Sequence, residues 1–540
     1  MATERLRANA ARVVRDTGRS FRAAVTLMEG TTGEVLALAS FPARVDDLPE
    51  RERRSPDQQK LTEINQNFVA LPIGSTAKVP FALSILDWSP RLASLEIETR
   101  RSYRSLLGFD LGGDYKDDHI GSGERIGFRA FLERSSNRYA AMLMLLGTLD
   151  PNANLADADP RAKALARDPF WVDGTPYDLA PASPAFHDAR WGPYGATIKP
   201  DSRMVDRGWS TNFTRIFADH ANPELKGGSA SFWEGASFAA SPSMASVLPE
   251  PLDLGFDNVD FIGSDYVMSI LGGNRSRWPT IKLAEAYSRI VSGRMVSAHV
   301  LPLLDSRLPK RIRMLEDHKD TARQAVLDGM RHVILGEHGT AGRLAGYWPG
   351  AELPGQDGSV TLLYAKTGTP NIIRRPITPM DAFSTAPQCA LYRNGTTGQL
   401  SFAGSSPASA HEWRAAISAA PEQCASLRAL DAENLQQIAS QLYFINRSRL
   451  RDQVVAGPDG IVKWLPDAAQ DEKEFGKTLV LVAARYARRG ARLPCGVRTI
   501  AINFQSRSAA AAQPALLFAG DLIRTPAVAR WLASPCAATR

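Results

Sequence analysis

Apolar and polar positions alternate, then group, then lose their period altogether as the chain is followed from end to end. Residues 22–40 hold two β-rich runs around Gly30-Thr-Thr-Gly33, which predicts a hairpin. Helical spacing predicts helices over 75–88 and over 128–147, the latter through Phe131, Leu132, Tyr139, Met142, Leu143 and Leu146, ending at Gly147. From about 150 to 258 the period fades and Pro, Asp, Gly and Trp become frequent, the texture of a loop-rich insertion. Residues 281–292 predict an amphipathic helix stopped by Gly293, and a further helix follows at about 320–335. Residues 359–366 read as a strand, 371–475 as a second irregular stretch, 477–486 and 497–504 as strands, and 511–533 as a closing helix. Strands at both ends with helices between them predict an α+β fold whose first and last segments pair in one sheet.

Composition narrows the function classes. The chain has 540 residues, 44% of them hydrophobic and 22% charged, which is ordinary globular usage. No run of about 18 apolar residues is present to cross a membrane as a helix. The net charge of +7 is scattered rather than gathered on one stripe, which argues against a nucleic-acid binder. Cys389, Cys424, Cys495 and Cys536 all fall in the last third, with no C-x-x-C pair. One or two disulfides, which need an oxidising compartment, and free buried thiols are both open. The eight histidines form no H-E-x-x-H and stand at no ligand spacing, so a metal enzyme is not expected.

Three short motifs carry chemistry. Ser75-Thr-Ala-Lys78 opens a predicted helix, and a separation of three places both side chains on one face. A serine hydroxyl attacks only when a base takes its proton, and a lysine serves as that base once burial or a nearby charge lowers its pKa. Lys366-Thr-Gly-Thr369 closes an apolar strand. Gly368 lets a ligand approach the backbone, while the hydroxyls and the ammonium suit a carboxylate on an extended peptide added to the strand edge. A serine and a carboxamide could complete the set. Ser135-Ser-Asn137, at a loop joining two helices, is preferred to Ser210-Thr-Asn212, which lies in the irregular stretch.

In the order S-x-x-K, S-x-N, K-T-G, these motifs resemble those of penicillin-binding proteins and serine β-lactamases. The chain is similar to the transpeptidase domain of high-molecular-mass penicillin-binding proteins. The likeness extends to the opening hairpin, to Trp278-Pro-Thr-Ile-Lys-Leu-Ala-Glu-Ala-Tyr287 and to His338-Gly-Thr-Ala341. The matching segments run from about 21 to 147, 259 to 369 and 476 to 535. The resemblance implies a β-lactamase/transpeptidase-like fold: a central antiparallel sheet flanked by helices, an all-helical subdomain and loop-rich insertions. Residues 1–20 then read as an N-terminal linker or helix, and 21–540 as one transpeptidase-like domain with insertions at about 150–258 and 371–475. Pro80 departs from the family pattern by one position and predicts a disturbance of the helix.

Carried over residue by residue, the resemblance implies that Ser75 attacks the penultimate D-Ala of a peptidoglycan stem peptide and Lys78 accepts its proton. Ser135 and Asn137 complete the network, with Ser135 passing a proton towards the leaving D-Ala. Lys366 raises the positive potential and, with Thr367, Gly368 and Thr369, holds the terminal carboxylate. The N–H groups of Ser75 and Thr369 form the oxyanion hole. An amine of a second stem peptide, or water, resolves the acyl-enzyme, β-lactams inhibit by acylating Ser75, and no metal or organic cofactor is needed. The expected setting is the periplasmic, extracytoplasmic face of the inner membrane, with the anchor on a partner or an upstream segment. Two alternatives stand beside this reading. One keeps the chemistry with water as acceptor, as in a D,D-carboxypeptidase or β-lactamase, although no E-x-x-L-N segment precedes K-T-G. The other is a non-catalytic β-lactam or cell-wall sensor, or a scaffold.

Overall fold

In the computed structural model, the first hairpin and the last two strands meet in the middle of one sheet. The structure describes residues 2–17, 21–54, 56–69, 71–99, 120, 123–147, 170–177, 270–272, 277–296, 298–299, 320–346, 352–355, 357–374, 391–393, 400–402, 454–456, 462–464, 472–506 and 515–534. The helices are α1 (Ala2–Thr17), α2 (Pro56–Glu63), α3 (Lys78–Trp88), α4 (Phe128–Arg134), α5 (Asn137–Leu146), α6 (Thr280–Ser292), α7 (Asp320–Leu335), α8 (Ala515–Ile523) and α9 (Pro526–Leu532). None of them is long and apolar enough to cross a membrane. The strands are β1 (Phe21–Glu29), β2 (Val35–Phe41), β3 (Leu71–Pro72), β4 (Glu96–Thr99), β5 (Glu124–Gly127), β6 (Phe170–Val172), β7 (Thr175–Tyr177), β8 (Arg277–Trp278), β9 (Glu352–Pro354), β10 (Val360–Gly368) and β11 (Asn371–Arg374). They continue with β12 (Leu391–Arg393), β13 (Leu400–Phe402), β14 (Val454–Ala456), β15 (Val462–Trp464), β16 (Glu472–Tyr486) and β17 (Gly496–Ser506).

The main sheet is antiparallel with the order β2-β1-β17-β16-β10-β9, and β11 also pairs with β16. Its central strands are apolar on both sides because both faces are covered. Val480, Val482 and Ala484 of β16 enter one core with residues of α3, α4, α5, α6 and α7. Leu479, Leu481 and Ala483 enter a second core with Leu6 and Ala10 of α1 and with α8 and α9. Each such large side chain contributes about 1.5–3 kcal/mol by leaving water. The mixed helix-and-antiparallel-sheet architecture agrees with the α+β expectation.

Local details differ from the pattern reading for identifiable reasons. The run 128–147 is two helices, broken where Ser135 takes a left-handed conformation (φ 61°, ψ 41°). The closing helix is also two, parted at Thr525 before Pro526, which starts α9. Helix α6 is stopped by Gly293 as expected (φ 68°), but its polar face is not solvated. Glu285 there accepts hydrogen bonds from Lys282 (2.6 Å) and the Ala298 N–H (2.8 Å) and pairs with Arg289 (2.8 Å), all buried. Burial pushes the Glu285 carboxyl up, yet Arg289 and Lys282 hold it below its usual value.

The stretches read as insertions lie for the most part outside the described residues. Within the first, β6 and β7 form a hairpin that joins β4 and β5; within the second, β12–β13 and β14–β15 are short hairpins. Ser210 and Asn212 lie outside the described residues, as do Cys389, Cys424 and Cys536. Cys495 is disulfide-bonded, which decides for that residue between the two readings of the cysteines.

Candidate active site

Ser75 lies in a 3-10 turn, Gly74–Ala77, that runs directly into α3. The Lys78 N–H donates to the Ser75 carbonyl, so the two residues are one turn apart in space as in sequence. Helix α3 runs through Pro80 without a break, and the change of winding lies before it, at Ala77 to Lys78. Pro80 has no N–H to give to the residue four before it, which leaves the Thr76 carbonyl without its helical donor. The Tyr287 hydroxyl, from α6, donates to that carbonyl at 2.8 Å in a buried setting. Removing this donor strands a buried acceptor, so Tyr287→Phe is expected to destabilise the fold by about 1–3 kcal/mol. Urea denaturation checks the value; no change in midpoint would refute the account.

The S-x-N element is built by a division of labour within three consecutive residues. Ser136 is buried and caps α5, its hydroxyl accepting the Tyr139 N–H at 3.1 Å. Ser135 ends α4 in the left-handed region, at a strain of roughly 1–3 kcal/mol for a non-glycine residue. The flanking Ser135 and Asn137 both meet the fully buried Lys78: its ammonium donates to the Ser135 carbonyl (2.5 Å), the Ser135 hydroxyl (3.2 Å) and Asn137 Oδ1 (2.6 Å).

Lys366 comes to the same hydroxyl from the sheet. Its Nζ donates to Ser135 Oγ at 2.8 Å and to the Thr367 carbonyl at 3.1 Å. The register Thr26–Ala501–Val480–Lys366 puts it on the face of the first core, whereas Thr367 continues the row Val25–Ile502–Leu479 on the second. Burial, reinforced by the Lys78 ammonium, drives the Lys366 pKa well below its ordinary value. Two ammonium groups therefore share one hydroxyl in a water-poor site.

Gly368 is required by contact. A β-carbon there would stand 2.2 Å from Thr478 Oγ1, 2.5 Å from the Ile73 carbonyl and 3.1 Å from the Ser75 nitrogen. The strand and the turn that carries Ser75 thus touch backbone to backbone, locked by the Thr478 hydroxyl donating to Ile73 O at 2.7 Å. A β-carbon on Gly74 would likewise meet the Thr369 nitrogen at 3.0 Å. Thr369 itself is exposed and half-buried Ser75 lies beside it. Strand β9 pairs with β10 only at residues 360–362, so the outer edge from 363 to 368 has no strand partner among the described residues.

The chain's three motifs thus converge: Lys78, Ser135, Asn137 and Lys366 form one hydrogen-bonded group, with Ser75 on the adjoining turn. Sequence reading did not assign two polar residues bordering it. Thr340 takes the Thr367 hydroxyl at 2.7 Å and is itself held by the Glu133 carbonyl at 3.3 Å, joining α4 to β10. Lys477 donates to Thr369 Oγ1 at 2.7 Å. The only sequence signal for Thr340 was its place in His338-Gly-Thr-Ala341; for Lys477 there was none, because cross-strand partners are set by register. Among the described residues no cluster of three His, Cys, Asp or Glu stands together.

No family model and no curated protein matches the chain in sequence. Among solved structures it is similar to penicillin-binding protein transpeptidase structures. A peptidoglycan glycosyltransferase from Burkholderia ambifaria is 12% identical with a TM-score of 0.42, over 99% of this chain and 97% of that one. The TP domain of Burkholderia pseudomallei penicillin-binding protein 3 is 12% identical with a TM-score of 0.40, over 99% and 96%. Pseudomonas aeruginosa PBP2, in complex with WCK 5153, is 13% identical with a TM-score of 0.40, over 96% and 74%.

Proposed function

We propose that the protein is a penicillin-binding D,D-transpeptidase that works through an acyl-enzyme on Ser75, within a β-lactamase/transpeptidase-like fold. One observation carries the reading: the ammonium groups of Lys78, which lies one turn along from Ser75, and of Lys366 converge on the single hydroxyl of Ser135. Such a group does what acyl transfer needs. Burial and then the Lys78 ammonium lower the Lys366 pKa, and in the proposed reaction Lys78 accepts the Ser75 proton. Ser75 Oγ then bonds to the carbonyl carbon of the penultimate D-Ala. The Ser75 and Thr369 N–H groups stabilise the resulting oxyanion, a contribution of roughly 10²–10³ in rate per donor. Collapse breaks the C–N bond, and Ser135, fed by Lys78, returns the proton to the departing D-Ala amine. The donor peptide lies along the edge of β10 that has no strand partner among the described residues and exchanges main-chain hydrogen bonds with it. An amine from a second stem peptide attacks the ester and releases Ser75. The disulfide at Cys495 suits an oxidising compartment, and the proposal puts the chain outside the cytoplasm, in the periplasm.

The test is covalent. Incubation of the full chain with a reporter penicillin, followed by digestion and mass mapping, is expected to give one adduct, on the peptide containing Ser75. Modification of another residue, or of none, would discard the assignment.

A further inference from the structure

We infer that Lys477 is the specificity-determining cation of the site, holding substrates that carry a free carboxylate through its contact with Thr369. The inference rests on the acyl-enzyme reading above and refines it, because that reading gave the carboxylate to Lys366 with Thr367 and Thr369. Lys366 is poorly placed for the task. It is fully buried, faces the first core, and spends its donors on Ser135 Oγ and the Thr367 carbonyl. Thr367 is also committed, since its hydroxyl donates to Thr340.

Thr369 is different, and the sheet register explains why. The pairs Gly368↔Thr478 and Asn371↔Phe475 leave Thr369 directly opposite Lys477, and the Gly476 N–H donating to the Pro370 carbonyl at 2.7 Å keeps the strands in step there. Opposed residues in an antiparallel pair share a face. Lys477 accordingly reaches Thr369 Oγ1 at 2.7 Å. The hydroxyl oxygen accepts from the ammonium, which leaves its own proton free to be donated, and Thr369 is exposed next to the edge of β10 that has no strand partner among the described residues. A carboxylate placed there receives a hydroxyl donor polarised by a cation at the next position. Lys477 has no carboxylate partner of its own among the described side chains. Its half-buried setting keeps the interaction from being fully screened by salt.

The experiment compares a fluorescent penicillin as the free acid with its methyl ester, using the full chain and the variants Lys477→Met, Lys477→Gln and Lys477→Arg. Second-order acylation rates are read at matched salt, with a melting curve for each variant. Lys477→Met and Lys477→Gln are expected to lose roughly 10- to 100-fold on the acid, the worth of a charge-assisted hydrogen bond, and nothing on the ester. Lys477→Arg should recover most of the rate on the acid. Equal losses on both probes, or wild-type rates on the acid in both neutral variants, would overturn the inference while leaving the acyl-enzyme intact. Absence of any Ser75 adduct in the wild-type chain would instead remove the underlying reading, and this one with it.

Discussion

Lys366→Met is expected to slow penicillin acylation by roughly 10²–10⁴ while making the folded protein more stable, a combination that separates chemistry from folding. The loss of rate follows from the contact at 2.8 Å between Lys366 Nζ and Ser135 Oγ, which fixes the hydroxyl that relays the proton in the proposed mechanism. The gain in stability follows from burial. Lys366 has no exposed surface, and its pKa is well below 10.5, first through burial and then through Lys78. The unfolded chain binds the proton more tightly than the folded one between the lowered folded value and 10.5, so wild-type stability rises with pH across that window. Below the lowered value the wild type carries the whole penalty of a buried ammonium; towards and above 10.5 it carries none. A thioether of similar length abolishes both the penalty and its pH dependence, with a gain on the order of 1 kcal/mol or more at neutral pH. Urea midpoints from neutral to alkaline pH check this. A Lys366→Met protein less stable than wild type, with the same pH slope, would refute it.

Gly272→Ala should be the most damaging small substitution. At Gly272 (φ +69°) a β-carbon would stand 1.8 Å from the Gly74 carbonyl oxygen and 2.6 Å from its α-carbon, and backbone atoms cannot swing aside as a side chain would. The same close approach lets the Gly74 N–H donate to Gly272 O at 3.1 Å, beside Ser75. The clash and the left-handed backbone together are expected to destabilise the protein by about 3 kcal/mol or more. Because any relief must shift the nucleophile turn, surviving folded protein should also acylate at least about tenfold more slowly. Calorimetry with labelling kinetics on the same sample checks both; near-wild-type behaviour would show that the segment yields more easily than its packing suggests.

The parts of the site legible in the sequence are those in which chemistry and local geometry coincide. Ser75 and Lys78 are one turn apart in any helix, and Lys366 follows from the composition of a short strand end. The α+β pairing of the chain's two ends was likewise written in its apolar runs. What stayed hidden depends on non-local geometry. The opposition of Thr369 and Lys477 needs the register between β10 and β16, which no local period encodes. The role of Tyr287 needs both the missing N–H of Pro80 and the docking of α6 onto that turn. The burial of Lys282, Glu285 and Arg289 defeats a reading by amphipathicity, because mutual pairing lets charges occupy a face that periodicity assigns to solvent. Ser136, which the motif leaves unassigned, caps α5 between the two residues that meet Lys78.

Strand β1 finds its inner neighbour only in β17, near residue 500. The hairpin of β1 and β2 can form by local contacts alone, whereas the centre of the sheet closes only by bringing together segments far apart in the chain. An isolated two-stranded hairpin is marginal in water, so the last strand to join is the one that secures the first.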